Sequence, residues 1–175
     1  MIHTLLIGLI LGIKHALEPD HLAAVSTEGT LKHGLMWGLG HALMLFLFGG
    51  LFFVLGESVH LIWSYGLEFL VGVMLVGFGI LSFFSVRKGS FFIGLIHGLA
   101  GSATLVLLAS SLGFILVFGI GSVIGMVLVT GLLSVSLSKF KRYQKHFRIV
   151  AGAISISIGM IVMVENAHIL YITMI

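Results

Sequence analysis

Long apolar stretches separated by short polar segments follow one another along the whole chain. Each stretch approaches or exceeds the roughly 20 residues that an α-helix needs to cross a hydrocarbon core about 30 Å thick. They do not alternate apolar and polar residues at every second position, as the strands of a transmembrane barrel would. The pattern predicts an all-α integral membrane protein, a single transmembrane domain over residues 1–175, with six transmembrane helices at about 2–25, 34–55, 62–86, 90–110, 112–137 and 149–172.

Composition agrees with this prediction. The 175 residues are 59% hydrophobic and 9% charged, whereas charged residues make up about 25% of a soluble domain. The chain has no cysteine, which excludes disulfides, thiolate metal sites and thiol redox chemistry. The net charge of +3 does not indicate nucleic-acid binding, because the basic side chains sit in short loops, where they report membrane orientation. The predicted partner is the lipid bilayer.

The basic loop residues lie on one side of the predicted membrane. If the six spans alternate in direction, the loops of one face contain Lys32, Arg87 with Lys88, and the segment from Lys139 to Arg148. The loops of the opposite face contain neither Lys nor Arg. Because loops rich in Lys and Arg remain in the cytoplasm, we expect a multi-pass protein of the cell membrane with both termini outside.

Glycine and histidine positions recur at an offset of about 81 residues. The matches, in chain order, are Gly12 and His15 with Gly94 and His97, Gly38 and Gly40 with Gly119 and Gly121, and Gly72 and Gly79 with Gly152 and Gly159. Their constant order indicates two three-helix repeats, about 1–86 and 87–175. An odd number of spans in each half makes the repeats inverted relative to one another, an arrangement common in secondary transporters. The alternative is that small residues merely mark helix-packing faces.

The first predicted helix contains a cluster of ionisable residues. His15, Glu18, Asp20 and His21 lie within seven positions, although each charge at membrane depth costs about 3 kcal/mol on insertion scales. Pro19 lacks an N–H and predicts a break between 15 and 19. The break would free the carbonyl of His15 as a further ligand and would let His15 and His21 converge.

The second half has a related segment that begins at His97 and places Gly101 opposite Pro19. Interrupted helices at matching positions of two repeats indicate a midplane substrate site, so we expect an interruption near Gly101 as well. At 1.5 Å per residue, His41 and His97 reach about the same depth as the first cluster. For each of these two histidines, a hydrogen-bonded core role is the alternative to a ligand role.

Imidazole and carboxylate groups without thiolates suit nickel, cobalt, zinc or copper. Magnesium or calcium would require more oxygen ligands. The candidate metal ligands are His15, Glu18, Asp20, His21, His41 and His97. Glu68 is expected near the outer interface.

The N-terminal sequence Met1-Ile2-His3 offers another candidate ligand set. A free amine, two amide nitrogens and the His3 imidazole can provide a square of nitrogen donors, which favours Ni²⁺ or Cu²⁺. His3 would then bind an arriving ion or fold inward to complete the site. The alternative is that His3 is only a polar residue at the interface.

Two motifs carry a resemblance to a known family. The pattern H-x4-D-H, formed by His15, Asp20 and His21, resembles the signature of the nickel/cobalt transporter family (NicO-like), and Gly40-His41-Ala42 resembles its second motif. The stretches HALEPDHLAAVS and HGLAGSATLVLL resemble a short six-span branch of urease-accessory or sulfite-exporter-like membrane proteins. The larger family has eight spans and acidic motifs in later helices, which this chain lacks.

The resemblance implies transport of Ni²⁺ or Co²⁺ as substrate, with His15, Asp20, His21 and His41 in contact with the ion. We expect a non-enzyme without a prosthetic group that works by alternating access, with a functional link to a nickel enzyme such as urease. Alternatives are efflux of another metal, export of a sulfite-like anion, a urease-scaffold role, and an acyltransferase-like enzyme that uses the His/Asp dyad. A homo-oligomer is left open.

Overall fold

The computed structural model describes residues 2–28, 30–56, 60–84, 89–139 and 141–174, and this part of the chain contains helices and no strand. The helices are α1 (Ile2–His15), α2 (Pro19–Glu28), α3 (Leu31–Met44), α4 (Gly50–Leu55), α5 (Leu61–Phe83), α6 (Ser90–Leu108), α7 (Leu112–Lys139) and α8 (Gln144–Met174). A π-helical segment, Leu45–Gly49, joins α3 to α4, and a 3₁₀ turn, Lys141–Tyr143, precedes α8. The predicted all-α character is confirmed.

Local sequence explains several of these boundaries. The Thr30 side chain accepts a hydrogen bond from the main-chain N–H of His33 and caps the start of α3, as is common for threonine at this position. Gly56 ends α4 with a φ of 67°, a left-handed conformation that glycine adopts without steric cost. The last helix begins at Gln144 rather than 149, because its polar first turn continues the helix beyond the apolar stretch.

Within the described residues, four helical segments are long and apolar enough to cross a membrane: Leu31–Leu55, Ile62–Phe83, Leu112–Ser136 and Gln144–Thr173. Shorter apolar segments occur at Ile2–His15 and Ser90–Ser102. Large apolar side chains such as Leu132 and Val164 are exposed on the surface of the helix bundle. This arrangement suits a hydrocarbon environment rather than water. Arg87 and Lys88 of the predicted basic face lie outside the described residues.

The helices pack most extensively in three pairs, α1 with α7, α3 with α6 and α5 with α8. Glycine allows close contact in each pair. A Cβ at Gly12 would collide with the carbonyl of Phe118, and one at Gly94 would collide with the carbonyl of Trp37. Small residues at such positions let helix backbones approach closely where lipid weakens the hydrophobic drive for packing.

The α5–α8 pair is antiparallel and crosses at two glycine contacts. A Cβ on Gly72 would lie 2.8 Å from the carbonyl of Gly159, and one on Gly79 would lie 2.5 Å from the carbonyl of Gly152. Between them, the Oγ of buried Ser155 donates a hydrogen bond to the carbonyl of Leu75 at 2.8 Å. The pair is thus held by direct backbone contact.

Candidate metal centre

The site begins at the predicted break, which the structure contains between α1 and α2. Pro19 is the first residue of α2, a position where its missing N–H costs nothing. The carbonyl of His15 is not free, however, because it accepts a hydrogen bond from the N–H of Glu18 at 3.0 Å. The expectation that this carbonyl is free was therefore wrong, since a tight turn between the helices uses it.

Four histidines meet at the break, one each from α1, α2, α3 and α6. The ring centroids of His15 and His21 are 4.3 Å apart, and those of His21 and His97 are 4.2 Å apart. His41, from α3, lies 5.0 Å from His21 and 5.3 Å from His15. All four rings thus share one cluster.

Two carboxylates contact the cluster. Asp20 accepts hydrogen bonds from Nδ1 of His21 at 3.1 Å and from Nε2 of His97 at 2.9 Å. Glu18 lies 2.9 Å from Nδ1 of His15 and is half exposed. The Asp20–His97 contact joins the broken first segment to α6, 77 residues further along the chain.

Several imidazole nitrogens of the cluster have no hydrogen-bond partner among the described residues. These buried atoms are Nε2 of His15, Nε2 of His21, Nδ1 of His97 and both ring nitrogens of His41. Buried polar atoms in proteins nearly always have a partner. Such a concentration of unpaired nitrogens therefore indicates a site for a ligand that accepts lone pairs, as a transition-metal ion does.

Trp37, one turn before His41, was not singled out by the sequence. Its ring centroid lies 5.6 Å from those of His21 and His97. The indole is buried, and its Nε1 also lacks a hydrogen-bond partner in the described part of the chain. The sequence gives no signal for this contact, because a single tryptophan in an apolar stretch is ordinarily a core residue.

The expected interruption of the second half is absent, since α6 runs continuously through Gly101. Glycine retains its N–H and can remain helical where proline cannot. Gly101 lies beside the cluster, because a Cβ on it would be in ordinary van der Waals contact with Nε2 of His15 and Cε1 of His41, at 3.8 Å from each.

A cavity of about 400 Å³ adjoins the cluster. It extends from Asp20 and His97 toward Leu108 and Phe118, at the end of the bundle where α6 leads into α7. Its wall includes further polar side chains, namely Lys14, Glu68, Glu165 and Asn166. Lys14 adjoins His15 in the sequence, whereas Glu165 and Asn166 were not connected with the site. Glu68 was expected at the outer interface, and the only sequence signal for the group was that polar residues interrupt apolar helices.

The remaining candidate, His3, does not join the cluster. It is exposed near the beginning of α1, and twelve residues of helix place it about 18 Å along the axis from His15. Met1, whose amine belongs to the same predicted ligand set, lies outside the described residues.

Comparison with known proteins identifies a relative. No family model matches the chain, and no solved structure matches it. The chain is 37% identical to the urease accessory protein UreH of Bacillus sp. (strain TB-90) over an alignment of 205 residues, which covers 91% of this chain and 90% of the relative. The name is that of an accessory protein rather than of an enzyme. Identity at this level over nearly the whole of both chains shows that the protein belongs to the UreH family of urease accessory proteins.

Proposed function

We propose that this protein transports Ni²⁺ across the cell membrane, with the histidine cluster as its substrate site and Co²⁺ as a second substrate. The observation that supports this most directly is the set of buried, unpaired imidazole nitrogens beside Asp20. Imidazole with one carboxylate is a donor set that suits nickel and cobalt. The relative is named a urease accessory protein. Urease is a nickel enzyme, and the transported nickel would supply such an enzyme.

The proposed architecture has six spans in two inverted repeats. The α1–α2 segment and α6 would be two further spans, in addition to the four longer ones. Helix pairing supports the repeat, because exchanging the two halves converts the α1–α7 pair into the α6–α3 pair and leaves the antiparallel α5–α8 pair unchanged. Leu75 and Ser155, which bond to each other, are themselves equivalent positions. A two-fold axis that relates antiparallel helices lies in the membrane plane, as in other transporters with inverted repeats.

The cavity supports an orientation in which the site faces outward. Its wall extends toward the α6–α7 connection, at the end of the bundle opposite the basic segment that begins at Lys139. Because the basic end is cytoplasmic, the cavity leads to the outer face. Both termini are then outside, and carboxylates in the cavity wall attract the incoming cation.

The proposed mechanism is alternating access. A hydrated ion exchanges water for histidine and aspartate ligands at the break. The path beyond the cluster is closed by buried apolar residues of one core: Ala23, Ala24, Trp37, Ile93 and Met126. Movement of one half against the other opens the path on the cytoplasmic side of the cluster and closes the cavity on the outer side.

Uptake into proteoliposomes tests the proposal, with Ni²⁺, Co²⁺, Zn²⁺ and sulfite compared in both directions. We expect transport of Ni²⁺ and Co²⁺ by the wild type. His15→Ala, Asp20→Asn and His21→Ala should each reduce the rate to that of empty vesicles. His168→Ala, which alters an exposed histidine of α8, should transport normally.

Circular dichroism and size-exclusion chromatography establish that each variant is folded. Normal metal transport by any two of the three site variants would contradict the site. Transport of sulfite without metal would instead favour the anion exporter.

A further inference from the structure

The cluster divides into two triads that share one histidine. His15, His21 and His41 offer ligand atoms within 4.8 Å of one another, and so do Asp20, His21 and His97. Two atoms bonded to one transition-metal ion are at most about 4.2 Å apart, because each bond is about 2.1 Å long. Among the described residues no group larger than these triads meets the 4.8 Å spacing, so a single ion matches one triad rather than all five residues.

The all-imidazole triad is arranged to receive an ion. Nε2 of His15 and Nε2 of His21 are buried without a partner in the described residues. The other ring nitrogen of each faces a carboxylate, Glu18 at 2.9 Å and Asp20 at 3.1 Å. A carboxylate behind a ligand histidine fixes its tautomer and orientation. His41, fully buried with both nitrogens unpaired, completes the set.

In the triad that contains Asp20, the three side chains are already hydrogen-bonded to one another through the Asp20 carboxylate. Asp20 bonds to His21 through Oδ1 and to His97 through Oδ2. An ion bound here would replace these contacts, so Asp20 would become a ligand. Asp20 therefore cannot be a ligand to an ion in its own triad and, at the same time, keep the hydrogen bond that orients His21 for the other triad.

The two triads also differ in their access to the cavity. Asp20, His21 and His97 all line it, whereas only His15 and His21 of the all-imidazole triad do so. His41 has no exposed surface and does not line the cavity. The aspartate-containing triad is thus the outer one, and the triad with His41 is the inner one.

We propose that the transported ion occupies two positions in turn, an outer one at Asp20, His21 and His97 and an inner one at His15, His21 and His41. This rests on the proposed function. Asp20 binds the ion in the outer position and orients His21 for the inner one. Because His21 belongs to both, the positions are filled alternately.

Ni²⁺ binding to the purified full-length protein tests this arrangement. Equilibrium binding gives the stoichiometry and affinity, X-ray absorption gives the ligand types, and proteoliposomes give the rate. The variants are His41→Ala, His97→Ala and His21→Ala, with His168→Ala as the control. Where an alanine variant fails to fold, phenylalanine at the same position fills the volume without supplying a ligand.

We expect one Ni²⁺ per wild-type chain. His41→Ala should retain an ion with carboxylate and imidazole ligands, and His97→Ala should retain one with imidazole ligands. Each should transport at least about tenfold more slowly, because loss of even a group that only orients a metal ligand commonly costs about 10–100-fold. His21→Ala should lose binding.

Several results would contradict the proposal of two positions. They are two Ni²⁺ ions bound at once to the wild type, unchanged transport by folded His97→Ala, and loss of binding in His41→Ala or His97→Ala as complete as in His21→Ala. Failure of the wild type itself to bind or transport Ni²⁺ would instead contradict the proposed function, and the two positions with it.

Discussion

Ser155 donates a hydrogen bond to the main-chain carbonyl of Leu75, which lies 80 residues earlier in the chain. The serine has no exposed surface, so the bond links α5 and α8 inside their glycine-lined contact. In the proposed repeat, this bond lies close to the two-fold axis that relates the halves. Loss of this bond is therefore expected to weaken the packing of the two halves against each other.

Ser155→Ala should lower stability. It leaves a buried carbonyl without its side-chain donor, and a typical hydrogen bond contributes about 0.5–1.5 kcal/mol. Ser157→Ala is the matched control, because the Ser157 hydroxyl bonds only locally to Ala153 on an exposed face. Thermal unfolding in detergent measures both. Equal melting temperatures for the two variants would show that the bond between the helices does not stabilise the pair.

Gly94→Ala should destabilise the α3–α6 pair. The added Cβ collides with the backbone of Trp37, and overpacking costs about 1–3 kcal/mol, more than the roughly 1 kcal/mol that alanine gains over glycine in a helix. Gly77→Ala has open space and should be neutral or stabilising. A melting temperature for Gly94→Ala at or above that of Gly77→Ala would refute the close contact.

Membrane orientation can be measured without background labelling, because the chain contains no cysteine. Thr173→Cys, near the exposed end of α8, should react with an impermeant thiol reagent in intact cells. Lys145→Cys, at the beginning of the same helix, should react only after permeabilisation. The physical reason is the bias of Lys and Arg toward cytoplasmic loops. The opposite labelling pattern would place both termini inside.

Trp37 should report ion binding through its fluorescence. In a Trp63→Phe background it is the one remaining tryptophan, and its ring lies 5.6 Å from His21. Bound Ni²⁺, with its partly filled d shell, should quench most of the emission, whereas d¹⁰ Zn²⁺ should quench little. Exposed Trp63, observed alone in Trp37→Phe, should respond weakly. Equal responses of the two tryptophans would contradict ion binding beside Trp37.

Features that depend on local chemistry could be predicted from the order of residues alone. Apolar stretches too long for a soluble surface predicted the all-helical chain, and the missing N–H of Pro19 predicted the break after His15. The donor types at His15, Asp20 and His21 suggested metal chemistry. Each of these follows from residues within one helical segment.

Only the tertiary structure decided which residues meet across segments. His41 and His97 could have been ordinary core histidines, and their depth along the helix did not reveal which way the rings point. The close approach of α3 to α6 through Gly94 and Gly98 brings both to His21.

The two sequence predictions that were wrong have the same physical origin. A turn uses the carbonyl of His15, and Gly101 remained helical where α6 passes beside the rings of His15 and His41. Both outcomes depend on how backbone groups are satisfied and how side chains fill space in three dimensions. Hydrophobic pattern and motif spacing do not contain that information, because they record only the order of residues along one chain.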